Sequence, residues 1–236
     1  MAEDVVSTIV LDLDGPLLDG RARHYACYSA ILLAHGYRPL PLEVYWEMKR
    51  ERTNRRKQLE ATGAGDLYDR FIADWIESIE EPEFLELDVV QPGARPALRA
   101  WKRQGKRLLL ATQRHNPQGL TVQLERLGLA RYLDRVLPCE HARGGAGKAE
   151  QVRLAAPDLR PEETLWIGDT EVDVEAARAL GCRVCAVTCG LRTSSYLQSL
   201  QPDCHASGID QIDLSEIFRA LQVSSPFDKS GPSRFS

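Results

Sequence analysis

Ile9-Val-Leu-Asp12-Leu-Asp14-Gly15-Pro16 is the stretch from which the fold of this chain can be read. A short run of Val, Ile and Leu closed by Gly and Pro predicts a buried β-strand. Side chains alternate along a strand, so Asp12 and Asp14 share one side at its end, and Gly15 lets the chain leave sharply. Two carboxylates placed there suit a nucleophile with an acid/base partner, a pair of metal ligands, or both. Asp and Gly are also ordinary turn residues, so this stretch needs the rest of the chain to decide it.

Downstream of Pro92-Gly93 short apolar runs alternate with helical periodicity. Strands are predicted at Arg107–Thr112, Val136–Leu137, Thr164–Asp169 and Cys182–Thr188, and helices around Leu98 and Trp101, over Leu120–Leu127, Val172–Leu180 and Leu214–Leu221. Strand–helix alternation implies parallel β-α units. Upstream, between Arg21 and Glu81, the pattern is helical throughout, with Leu67, Phe71, Trp75 and Ile79 stepping by four. The expected fold is therefore α/β, a doubly wound, mostly parallel sheet with a small α-helical cap inserted after the first strand. The core would take residues 1–19 and 92–223, the cap 20–91, and a flexible tail 224–236. Such an insert sits at the C-terminal edge of the sheet, where these folds bind ligands, and linkers near Asp19–Arg21 and Gln91–Gly93 would let it act as a lid.

The chain has 236 residues, 43% hydrophobic and 27% charged, enough for a real core. A net charge of −4 argues against a nucleic-acid or membrane-surface binder. No apolar stretch is long enough to span a bilayer, and Glu3 and Asp4 stand where a signal peptide would be basic, so a cytoplasmic location is expected. In that compartment the six cysteines would stay thiols. Cys182-Arg-Val-Cys185 has the spacing of a metal or redox pair. In a strand, however, that offset points the two side chains to opposite faces, and the cysteines read as small buried hydrophobes.

Parallel strands present their C-terminal ends on one edge. Asp12, Asp14, Thr112 and Asp169 all lie at such ends, Asp173 returns to the same face one helical turn after Asp169, and Lys148 can reach in. That set suits carboxylate attack on a phosphoryl group, with a magnesium ion held and phosphoryl charge neutralised. Asp12-Leu-Asp-Gly-Pro-Leu-Leu-Asp19, Thr112, Lys148 and Gly168-Asp169-Thr-Glu-Val-Asp173 resemble, in order, the four motifs of the haloacid dehalogenase superfamily. The helical insert is similar to the cap of its phosphoglycolate phosphatase and β-phosphoglucomutase branch. The resemblance implies a magnesium-dependent phosphatase of a small phosphorylated metabolite, phosphoglycolate-like or a sugar phosphate. It implies Asp12 as nucleophile, Asp14 as acid/base, Thr112 and Lys148 on the phosphoryl group, and Asp173 behind the metal site. Mg²⁺ would be held by Asp12, Asp169 and the backbone carbonyl of Asp14. A phosphomutase of the same fold and a non-catalytic module on that fold are the alternatives, and the chain would act as a monomer or homodimer.

Where the family often has Asn after the motif Thr, this chain has Gln113 and Arg114, which could bind substrate or face solvent. Arg143-Gly-Gly-Ala-Gly-Lys148 fails as a phosphate-binding P-loop, because Ala142 and Ala149 stand at required positions. Its glycines would instead form a loop carrying Lys148 into the site. Lys49, Arg52 and Arg56 would share a helical face in the cap, one that either attracts an anion or is simply solvated.

Overall fold

The computed structural model describes residues 6–140 and 143–219. The central sheet is wholly parallel. It consists of β1 (Thr8–Leu11), β4 (Arg107–Thr112), β5 (Arg135–Pro138), β6 (Thr164–Gly168), β7 (Arg183–Val187) and β8 (Cys204–Ala206), in the order β5-β4-β1-β6-β7-β8. β1 lies at the centre, with Leu11 opposite Leu110 on one side and Ile167 on the other.

Period two is visible in the packing. Ile9, Leu11, Leu108, Leu110, Leu165 and Ile167 join one apolar cluster, with Leu98 and Trp101 of α6 (Ala94–Arg103) and Leu120 and Leu124 of α7 (Pro117–Arg126). The alternate residues Val10, Leu109, Ala111 and Trp166 join the other, with Val152 of α8 (Gly144–Ala155) and Val174 and Ala177 of α9 (Glu171–Leu180). Both faces are covered, which is why the strands read as continuous apolar runs. Burying each large aliphatic side chain there contributes about 1.5–3 kcal/mol. Cys185 falls in the first cluster and Cys182 in the second, on opposite faces as their spacing implies.

After β1 the chain forms β2 (Leu18–Asp19), then the helical insert α1 (Arg21–Ala34), α2 (Leu42–Arg50), α3 (Arg55–Glu60), α4 (Tyr68–Ser78) and α5 (Pro82–Leu85), and returns through β3 (Val89–Val90). The cap has its own apolar centre of Cys27, Tyr28, Leu32, Tyr45, Leu59 and Phe71. β2 and β3 pair antiparallel, so the two crossings between core and cap form one ribbon. Two short helices, α10 (Ser194–Ser199) and α11 (Leu214–Arg219), complete the described chain. No helix among the described residues is long and apolar enough to cross a membrane. The expected tail, 224–236, lies outside the described residues.

Three expectations are corrected. The basic cap run is not one helix: it breaks between α2 and α3, where Arg52 adopts φ 58°, so Lys49 and Arg56 belong to different helices. The glycines before Lys148 are not a loop but the first turns of α8. A side chain at Gly145 would meet Glu175 Cβ at 2.5 Å and the Val172 carbonyl at 2.7 Å, so glycine is what lets α8 lie against α9. Cys185 and Cys204 are not thiols: their strands bring them opposite each other across β7 and β8, where they form a disulfide.

Candidate active site

Asp12 follows β1 directly, and its amide donates to the Ile167 carbonyl of β6 at 2.9 Å. Its carboxylate lies 3.0 Å from the Lys148 ammonium, which also donates to Asp173 Oδ1 at 2.8 Å. Both Lys148 and Asp173 are fully buried. Asp173 is held at the start of α9, where Oδ2 accepts from the Thr170 hydroxyl at 2.8 Å and Oδ1 from Trp166 Nε1 at 3.3 Å. Thr112 ends β4, buried on the same edge of the sheet. Asp12, Lys148, Asp169 and Asp173 thus lie together, and Thr112 ends a neighbouring strand on the same edge of the parallel sheet.

Asp169 follows β6 and is enclosed. A side chain at Gly15 (φ 98°) would strike its Cγ at 2.2 Å, and one at Gly190 would strike Oδ2 at 1.9 Å. Oδ2 accepts from the Leu191 amide, while Oδ1 is buried with no partner. Asp12, Asp169 and Asp173 offer carboxylate oxygens within 4.8 Å of one another. Three carboxylates gather around a site with the single ammonium of Lys148, more acids than one cation can balance. Burial pushes the Asp12 carboxyl up to about 7, with Lys148 pulling it down and Asp173 and Asp14 pushing it up. Burial and the charges of Asp12 and Asp173 raise Asp169 well above the carboxylate range. Burial would lower the Lys148 ammonium, but Asp12 and Asp173 hold it above an ordinary lysine. An orphaned carboxylate oxygen and an all-oxygen donor set fit a hard divalent cation such as Mg²⁺.

Asp14 turns its carboxylate elsewhere. It accepts from Arg114 Nε at 2.8 Å and Nη2 at 2.8 Å, and from Arg23 Nη2 at 2.7 Å. The same two arginines reach Asp88, Arg23 at 2.8 Å and Arg114 at 2.9 Å, and Gln123 donates to Asp88 as well. Two guanidiniums and two carboxylates close a balanced ring at the junction of core and cap. Burial alone would raise Asp14, but Arg114 and Arg23 together hold it below the usual carboxylate range. Arg114, a candidate substrate-binding residue, is thus buried in this ring. Gln113 beside it is half-buried. Arg23 and Asp88 escaped the sequence reading because 65 residues separate them. Their only signal is position, one at each end of the insert.

Residues 6–181 match the haloacid dehalogenase-like hydrolases. The chain is 29% identical over 194 residues to a phosphoglycolate phosphatase of Cereibacter sphaeroides, covering 78% of this chain and 86% of that one. It is 36% identical over 100 residues to a GMP/IMP nucleotidase of Escherichia coli, 41% of this chain and 44% of that one. A haloacid dehalogenase-like hydrolase from Streptococcus pneumoniae shares the fold, with a TM-score of 0.70 at 19% identity over 92% of this chain and 99% of that one.

Proposed function

We propose that this chain, which belongs to the haloacid dehalogenase-like hydrolase family, is a magnesium-dependent phosphatase acting on a small phosphorylated metabolite of the phosphoglycolate type. The carrying observation is Asp12, at the end of the central strand and 3.0 Å from a buried lysine, beside the orphaned oxygen of Asp169. The phosphoglycolate phosphatase relatives support the substrate type.

An oxygen of Asp12 attacks phosphorus, the bond to the ester oxygen breaks, and an aspartyl phosphate forms. Asp14 gives its proton to the departing alkoxide, then takes one from the water that attacks phosphorus and releases inorganic phosphate. With Arg114 and Arg23 on it Asp14 stands ionised, the state needed for the second half of the cycle. To carry a proton in the first half it must loosen from at least one arginine, and Arg23 belongs to the cap. Lys148 keeps Asp12 oriented and meets the incoming phosphoryl charge, and the Thr112 hydroxyl donates to a phosphoryl oxygen. Magnesium, held by Asp12, Asp169 and the Asp14 carbonyl, would neutralise charge on the transferring group. Asp173 steadies Lys148 from behind.

The test is hydrolysis of p-nitrophenyl phosphate and phosphoglycolate with and without Mg²⁺, wild type beside Asp12→Asn. Metal-dependent release of phosphate, lost in the variant, is expected. Activity that survives in Asp12→Asn would remove the nucleophile assignment, and activity that survives chelation would remove the metal.

A further inference from the structure

A cavity of about 210 Å³ opens at the seam between cap and core. Its walls carry Lys49, Arg52 and Arg55 from the cap and Arg192 from the core, against one acid, Glu171. Glu171 is already engaged. It accepts from Arg192 at 2.8 and 3.0 Å and pairs with Arg52 at 3.2 Å.

Lys49 and Arg55 are left without a counter-ion. Lys49 Nζ makes no hydrogen bond or ion pair among the described residues and lies over the Trp75 ring at 5.3 Å. Arg55 stacks on the same ring at 4.2 Å, and its Nη1 is buried with no partner. His24 stacks against Trp75 as well, at 5.5 Å, and its Nδ1 is likewise buried and unpartnered. A tryptophan plate thus holds three polar groups with unused bonding capacity. Lys49 and Arg55 are half-buried, and a partly desolvated cation without a counter-ion gains from an arriving anion.

The cluster adjoins the core–cap junction, because His24 follows Arg23 in α1 and Arg23 Nη2 donates to Asp14 at 2.7 Å. Lys49 feels the charges of both Asp14 and Arg23, the pair at the core–cap junction. Burial, then the charges of Arg55, Arg192 and Arg23, holds the Lys49 ammonium well below an ordinary lysine, and an arriving anion would relieve that. Burial, then the charges of Lys49 and Arg23, hold the His24 imidazole well below an ordinary histidine.

We propose that Lys49 and Arg55 receive a second anionic group of the substrate, a carboxylate or a second phosphate, so that the preferred phosphomonoester is short and charged at both ends. This rests on the phosphatase reading above and adds to it a site at the cap. His24 would bond the same group from the side, and Trp75 would fix the two cations in place.

The experiment uses the full chain with Mg²⁺ and three matched esters: phosphoglycolate, its neutral counterpart 2-hydroxyethyl phosphate, and ethylene bisphosphate. Wild type is compared with Lys49→Met and Arg55→Met, with Lys57→Met on the exposed face of α3 as a charge control. A charge-assisted contact implies about a 10–100-fold preference in kcat/KM for a doubly charged ester over the neutral one. That ratio should collapse in Lys49→Met and Arg55→Met, through KM more than kcat, and hold in Lys57→Met. Whichever doubly charged ester shows the larger preference identifies the second group. Equal turnover of charged and neutral esters by wild type, or an equal loss on both in the variants, would overturn the proposal and leave the phosphatase reading standing. If no ester is turned over, the phosphatase reading fails instead. Calorimetric titration of phosphoglycolate into the protein then decides: binding lost in Lys49→Met supports the anion site, and no binding overturns it.

Discussion

At the sheet edge three aspartates crowd one lysine, whereas at the cap seam a lysine and an arginine crowd one tryptophan with no free acid among them. Between them Arg23, Arg114, Asp14 and Asp88 balance charge for charge, two guanidiniums against two carboxylates. All three clusters are built from the same residue types, largely removed from water. Only the middle one balances its own charge. The difference separates charge that holds the protein together from charge that waits for a ligand: an excess of acids at one end suits a divalent cation, and unpaired positives at the other suit an anion.

Replacing Asp12 by Asn should have the largest effect, lowering kcat by at least about 10³-fold, since no remaining group can form the covalent intermediate. Single-turnover kinetics with phosphoglycolate would read it, and a loss under tenfold would show that the acid-rich end is not where the bond breaks. The balanced ring should fail structurally. Arg114→Met leaves Asp14 and Asp88 with one guanidinium between them and should destabilise the fold by about 3–5 kcal/mol in urea unfolding. Lys49→Met, which removes a cation that has no counter-ion, should leave stability unchanged or raise it, and a destabilisation like that of Arg114→Met would erase the distinction between the two clusters. Magnesium should raise the melting temperature of the wild type, by the equivalent of about 2.7 kcal/mol when present at 100 times its dissociation constant. Asp169→Asn should lose most of that gain.

The smallest effect is in pH. The amine of Lys49 is harder to protonate in the folded chain than in the unfolded one, because of burial and of Arg55, Arg192 and Arg23, with Asp14 opposing them. Carrying the proton therefore weakens the fold at neutral pH. The penalty is full below the folded pKa and fades as pH rises from there toward the ordinary lysine value of about 10.4. Any stability advantage of Lys49→Met should shrink over that window, and an advantage that grew instead would mean that Lys49 is paired after all.

The acid-rich end was legible in the sequence because its parts sit at strand ends, and strand ends announce themselves through apolar runs stopped by glycine. Asp12 and Asp169 carry that signal, Thr112 ends an apolar run without a glycine, and Asp173 is one helical turn beyond Asp169. Lys148 was placed correctly but on the wrong element: three glycines in a row of five residues read as a loop, since each costs a helix about 1 kcal/mol. Close packing of α8 on α9, which only glycine permits at Gly145, outweighs that cost. The cap pocket was not legible. It depends on the chain turning at Arg52, which ends the expected continuous helix and swings Arg55 onto Trp75. The ribbon of β2 and β3 and the strand β8 are two or three residues long, too short for any periodicity to mark them.

Both chain crossings between core and cap run through that ribbon, so a moving cap would turn about it. At the seam, Arg50 donates to the Thr188 and Arg192 carbonyls at 2.9 and 3.0 Å, and Arg52 to the Tyr196 hydroxyl. These contacts are the latch. A cap that swings away would have to give up these bonds first, so the first and last encounter of a small molecule with the enzyme would be with the arginines that keep it shut.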